Sequence, residues 1–129
     1  MSDTPEHLIP GPDHPIQVTP FNGRVRVTFA NHRVADTAGA LELREASYPP
    51  VYYVPLADVD HGALRPSETT SHCPYKGDAS YHDVIDPHTL QAAADAVWQY
   101  SDPYPAVSEI ADYVAFYPDR VEIEVQPGT

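Results

Sequence analysis

Apolar and polar residues alternate with a period of two along much of this chain, the pattern of half-buried strands. Val25, Val27 and Phe29 alternate with Arg24, Arg26 and Thr28. Asn31 and His32 then form the expected tight turn into a strand over residues 33–36. Leu41 and Leu43 share one side of residues 40–44, with Glu42 and Arg44 on the other. Val51, Tyr52, Tyr53 and Val54 are β-branched or aromatic, and Pro49, Pro50 and Pro55 keep that strand short. Residues 56–62 predict one helical turn closed by Gly62.

The second half is less regular. Residues 79–85 read as a strand following a glycine turn. Over residues 90–100 two tendencies conflict: Ala92, Ala93, Ala94 and Ala96 favour a helix, whereas Val97, Trp98 and Tyr100 favour a strand. Residues 105–112 predict the best helix, with Pro105 at its start and Val107, Ile110 and Ala111 on one face. Residues 113–117, a turn at Pro118 and Asp119, and residues 121–125 read as a closing hairpin. Residues 1–13 read as a flexible or loosely docked arm, and residues 126–129 as a short tail. Between them lies one mainly β domain over residues 14–125, with one or two short helices and no internal repeat.

Composition narrows the class. A chain of 129 residues with 42% hydrophobic residues can bury a real core in one domain without staples. Fifteen prolines against six glycines favour short, stiff connections over long helices. The single cysteine excludes an internal disulfide and any zinc site built from several thiolates of one chain. No apolar run approaches the roughly 20 residues that cross a bilayer, and the polar, acidic residues 1–6 do not resemble a signal peptide. The expectation is therefore a soluble cytoplasmic protein. A net charge of −12 argues against a nucleic-acid partner, which needs a basic footprint, and against an anionic membrane.

Candidate chemistry concentrates in one segment. The only lysine and the only cysteine both fall in Ser71-His72-Cys73-Pro74-Tyr75-Lys76-Gly77-Asp78. Cys73, with His72 and Lys76 as neighbours, has the surroundings of a nucleophilic or redox thiol; the alternative is a small residue buried at a strand end. Lys76 suits a carboxylate or phosphate, or a Schiff base if desolvated; the alternative is a salt bridge to Asp78 that shapes the turn. Asp78 is a candidate to orient Lys76 or to act as a general base, or else caps the turn. Gly77 supplies a positive φ or a close backbone approach under either reading.

Aromatic residues extend the candidate site. Tyr53, Tyr75, Tyr81 and Trp98 are candidates for a wall around a flat or cationic ligand, or for ordinary core and rim. Arg65 is a candidate second cation near the motif, or a solvated surface residue. His72, Cys73 and His82 or His88 offer mixed nitrogen and sulfur ligands, but at no recurrent metal-site spacing, so no metal and no cofactor is expected. One glycine beside Lys76 does not make a phosphate-cradling loop, and no clustered pair of aspartates suggests metal-assisted phosphoryl chemistry.

Several blocks in this order resemble the bacterial and fungal domain-of-unknown-function 427 family. They are Val34-Ala35-Asp36-Thr37, Tyr52-Tyr53-Val54-Pro55, Cys73 through Tyr81, Ala96 through Tyr100, and Tyr113 through Pro118. His14-Pro15-Ile16, leading into the first strand, also fits. The resemblance implies a β-tent-like fold for residues 14–125, with two small antiparallel sheets meeting at an angle over a ligand site. Relatives in the β-tent superfamily bind zinc through four cysteines, so that zinc is expected to be lost here. The resemblance further implies that the segment around Trp98 is a strand, with any helix confined to the residues before it. The family has also been labelled nucleotidyltransferase-like. His82 departs from its pattern, which has an aromatic residue after the Ser80-Tyr81 pair.

Three functions follow as expectations. The first is a small-molecule-binding domain whose pocket is built from Lys76, Tyr75 and the aromatic wall, for a small organic or anionic ligand. The second is an enzyme using Cys73 or Lys76 as nucleophile or electrostatic catalyst, a transferase among the options. The third is a structural or protein-interaction module. Neither the ligand nor the oligomeric state is legible in the sequence.

Overall fold

The structure is a computed structural model and describes residues 6–128. Its ten strands are β1 (Ile16–Pro20), β2 (Gly23–Phe29), β3 (His32–Thr37), β4 (Leu41–Glu45), β5 (Val51–Pro55), β6 (Leu64–Cys73), β7 (Gly77–Ile85), β8 (Ala92–Gln99), β9 (Tyr113–Phe116) and β10 (Glu122–Pro127). Three short 3-10 segments interrupt them, at Leu56–Asp58, His61–Ala63 and Pro105–Ile110. The mainly β expectation holds, but the two antiparallel sheets are very unequal. Seven strands form one in the order β1-β4-β5-β9-β8-β7-β6, and three form the other in the order β10-β2-β3.

The small sheet shows how strand alternation is used. Val25 and Val27 are buried, while Arg24 and Arg26 face outward and pair with Asp36 across the ladder to β3. Ala30 and Asn31 carry φ values of 50° and 67°, so the β2–β3 turn sits one residue earlier than expected. Such a pair of left-handed residues suits the right-handed twist of a two-residue hairpin.

The large sheet is covered on both faces. Val54, Val84, Val97 and Val114 join Val25, Val27 and Val34 in one core between the sheets. Leu43, Tyr53, Ala79, Tyr100 and Ala115 belong to a second core on the opposite face, covered by Val107 and Ile110 of the 3-10 segment Pro105–Ile110. These two faces determine where open space remains.

Three local expectations are corrected, and the conflict over residues 90–100 is resolved as the resemblance implied around Trp98. Residues 113–117 and 121–125 do not form a hairpin: β9 pairs with β5 and β8 in the large sheet, while β10 pairs with β2 in the small one. The turn over Pro118, Asp119 and Arg120 is instead a crossing between sheets, held by backbone bonds from the Arg120 and Val121 amides to the Tyr117 carbonyl. Residues 92–99 are strand throughout, because pairing with β7 and β9 outweighs the helix propensity of the alanines. Residues 105–110 form 3-10 turns with a kink at Val107 rather than an α-helix. Finally, Gly62 lies inside a second 3-10 turn capped by Asp60 rather than closing the first. The sequence pattern also did not predict β6, where Pro66 lies at a register shift that accommodates its missing N–H donor.

The N-terminal arm is partly visible. The Leu8 amide donates to the Pro74 carbonyl at 2.8 Å, and the His7 ring stacks on Tyr104 with centroids 3.7 Å apart. The expectations for residues 1–5 and for residue 129 lie outside the described residues.

Candidate functional site

The motif turn is built by the hairpin between β6 and β7. Cys73 pairs with Gly77, and Pro74, Tyr75 and Lys76 form the connection. Gly77 has φ +114°, a conformation open to glycine and costly for other residues. The turn is then tied down: the Tyr104 amide donates to the Lys76 carbonyl at 2.9 Å, and the Lys76 amide to the Cys73 carbonyl at 3.3 Å. With its backbone fixed at both ends, the Lys76 side chain folds back over the sheet.

Lys76 meets Glu45 rather than Asp78. Its Nζ donates to Glu45 Oε1 at 2.6 Å, and the two side chains are only 12% and 14% exposed. The other carboxylate oxygen of Glu45 lies 2.7 Å from His14 Nε2. Burial pushes the Glu45 carboxyl up, but the bonds and charges of Lys76 and His14 outweigh that and hold it below its ordinary value of 4.5. Lys76 Nζ also reaches Cys73 Sγ at 3.8 Å and lies 5.9 Å from the centre of the Tyr100 ring. One ammonium thus links a carboxylate, a thiol and an aromatic face.

Beside this pair lies a cavity of about 210 Å³. Its lining includes Glu45, Lys76, Tyr53, Tyr81, Tyr100 and Trp98. Strand alternation puts these residues there. Trp98 stands opposite Tyr81 across the β8–β7 ladder, and Tyr53 projects from β5 on the same face as Leu43 of β4. The Trp98 indole donates from Nε1 to the Tyr53 hydroxyl at 3.2 Å. The Tyr81 and Ser71 hydroxyls share a hydrogen bond of 2.8 Å. Burial raises Tyr53 and Tyr100 far above the usual tyrosine range, and burial with the neighbouring Tyr81 hydroxyl pushes Tyr117 up to about 12. These phenols stay neutral and offer both donors and acceptors.

The expected site residues divide into two groups. Cys73, Lys76, Tyr53, Tyr81 and Trp98 come together on the face of the large sheet that turns away from the small sheet, and all but Cys73 line the cavity. The remaining four do not line it. Tyr75 stacks on the His14 ring, with centroids 4.0 Å apart and planes 6° from parallel, so it supports the far side of Glu45. Asp78 turns outward, 77% exposed, and bonds His72 Nδ1 at 2.6 Å. It does not orient Lys76. Gly77 serves the backbone alone, and Arg65 pairs with Asp83 across β6 and β7.

Sequence reading missed Glu45, His14, Tyr48, Tyr100 and Tyr117. For three of them a signal was present in the strand phase. Glu45 continues the alternation of Leu41 and Leu43, so an acid occupies an inward position. Tyr100 follows Trp98, and Tyr117 follows Ala115, at the same spacing of two. His14 carries no such signal, because its place depends on the β1–β4 pairing that brings Ile16 opposite Glu45.

Among the described residues, no group of three or more His, Cys, Asp and Glu side chains is arranged to hold a metal ion. No described helix is long and apolar enough to cross a membrane. No curated protein matches the chain. Residues 17–127 match the family model described as "Domain of unknown function (DUF427)", and the chain belongs to that family.

Proposed function

We propose that this protein binds a small organic molecule in the cavity beside the Lys76–Glu45 pair. The observation that carries this reading is the convergence of the only lysine with Glu45 and four aromatic side chains, Tyr53, Tyr81, Tyr100 and Trp98, on one concave space. Ligand sites commonly combine aromatic walls with a few polar groups that fix orientation. Lys76 would donate to an acceptor on the ligand, and the tyrosine hydroxyls would serve either sense of hydrogen bond.

Trp98 is the only tryptophan of the chain and lines the cavity, so its emission reports occupancy directly. Phenols, hydroxybenzoates and small carboxylates titrated against the protein should shift or quench that emission. Lys76→Ala should abolish the response while the far-ultraviolet circular dichroism stays that of a folded β protein. Unchanged affinity in Lys76→Ala, or no response to any such probe, would remove the reading.

A second reading is favoured by one distance, the 3.8 Å between Lys76 Nζ and Cys73 Sγ. An ammonium next to a thiol stabilises the thiolate, the form that attacks electrophiles. Iodoacetamide alkylation of Cys73 followed across pH tests it. A covalent enzyme requires a rate midpoint well below the ~8.5 of a free thiol, displaced upward in Lys76→Ala. A midpoint at the free-thiol value, or a thiol that does not react, would leave binding without turnover.

A further inference from the structure

A second cavity lies between the two sheets and adjoins the first. It has a volume of about 560 Å³ and is lined by Val25 and Val27 of β2, Val54 of β5, Phe116 of β9, and Ile123 and Val125 of β10. Val25, Val27 and Val54 are at most 1% exposed, whereas Ile123 and Val125 remain half-buried. The small sheet therefore closes on the large one along β2 and leaves a cleft along its β10 edge. Packed sheets normally interdigitate their inner side chains across such a space. Here Pro49, Pro50 and Pro118, which have no side-chain donors, form part of its wall.

Glu45, Tyr48, Pro49, Val51 and Trp98 border both cavities. The chamber beside Lys76 holds the charged pair and the tyrosine hydroxyls and, at about 210 Å³, is smaller than the ~300–1,000 Å³ of most ligand sites. The cleft is large enough, but its six strand residues named above are all apolar. Each has what the other lacks. The geometry points to one bipartite site for a single amphipathic molecule: an acceptor head group at Lys76 and the tyrosines, and an aliphatic body in the cleft between the sheets. This inference rests on the binding reading above and names the class of ligand that the same site would take.

The chain length of the ligand is the variable that tests it. Straight-chain carboxylates from butanoate to decanoate, with the matching primary alcohols, are titrated against the full chain and read by Trp98 emission and calorimetry. Affinity in at least one series should rise about threefold to fourfold for each added methylene, the gain expected for burying an apolar group. Val125→Trp, at a half-buried position on the cleft edge and read by calorimetry alone because it adds a second indole, should abolish that gain while short probes still bind. Ile123→Phe is the second filling variant should Val125→Trp fail to fold. Affinity independent of chain length overturns the bipartite site, as does a gain that survives both filling variants. If phenols or hydroxybenzoates still bind through Lys76 in that case, the chamber beside it stands alone. If no probe of any kind binds, both readings fall.

Discussion

Lys76 Nζ and Glu45 Oε1 lie 2.6 Å apart, joining the turn after β6 to the end of β4 on the face of the large sheet that turns away from the small sheet. Both side chains are largely buried, so neither charge is well solvated once its partner is removed. Breaking a buried pair from one side costs about 3–5 kcal/mol when no other partner exists. Glu45 keeps His14, so Lys76→Met should destabilise by less, about 2 kcal/mol. The double variant Lys76→Met/Glu45→Gln should recover much of that loss. Urea unfolding of the single and double variants measures both; a double variant no more stable than Lys76→Met would show that the pair is not coupled.

The same pair sets an acid limb of stability. Glu45 has a folded pKa below its ordinary 4.5, so its contribution is fully present above about pH 4.5. It is lost as pH falls through the lower folded value. Glu45→Gln should therefore flatten the stability profile on that limb while leaving its shape near neutrality. Thermal melts from pH 3 to pH 7 provide the comparison, and superimposable acid limbs would contradict it.

His72 should give the N-terminal arm the opposite pH dependence. The Glu6 carbonyl, 2.6 Å from His72 Nε2, and then Asp78 at Nδ1 hold the protonated ring, raising its pKa above the ordinary 6.5. Arm docking is thus complete below about pH 6.5 and weakens as pH rises through the folded value. Hydrogen exchange at the Leu8 amide, which donates to Pro74, reads that docking. Corrected for base catalysis, its protection should fall across this window in the wild type and show no such step in His72→Gln.

Tyr53→Phe should cost about 1–2 kcal/mol, because it strands the Trp98 indole N–H inside the molecule. Trp98 emission should change in the folded state without any ligand. A variant of wild-type stability and unchanged emission would mean that water satisfies the indole.

Gly77→Ala should destabilise through φ rather than through volume. An added Cβ would meet Asp102 O at 3.4 Å, an ordinary contact, but φ +114° is unfavourable for alanine. A loss of about 1–3 kcal/mol is expected, together with weaker binding of any Lys76-dependent probe as the turn shifts. A neutral melting temperature would show that the turn relaxes.

Local chemistry made much of the fold legible. Strands β2 and β4 follow the period-two alternation of their residues, β5 its β-branched and aromatic run between prolines, and β7 its place after the glycine turn. One conflict and one failure had the same origin in long-range pairing. Over residues 92–99 alanine propensity lost to ladder pairing, which acts through neighbours distant in sequence. At residues 113–125 two adjacent strands that looked like a hairpin were separated into different sheets, because β9 and β10 each found a partner more than 50 residues away in β5 and β2.

The sequence by itself determined that the chain is mainly β and that its only cysteine and only lysine share one segment. It did so because strand phase, proline positions and rare residue types are local properties. Only the tertiary structure decided what Lys76 touches. Asp78, its near neighbour, points outward to His72, and Glu45 fills the place instead. The β6–β7 register sets Asp78 opposite His72, whereas the β1–β4–β5 pairing carries a distant carboxylate to Lys76. The partner of a buried charge is fixed by that register, and register is a property of the whole fold.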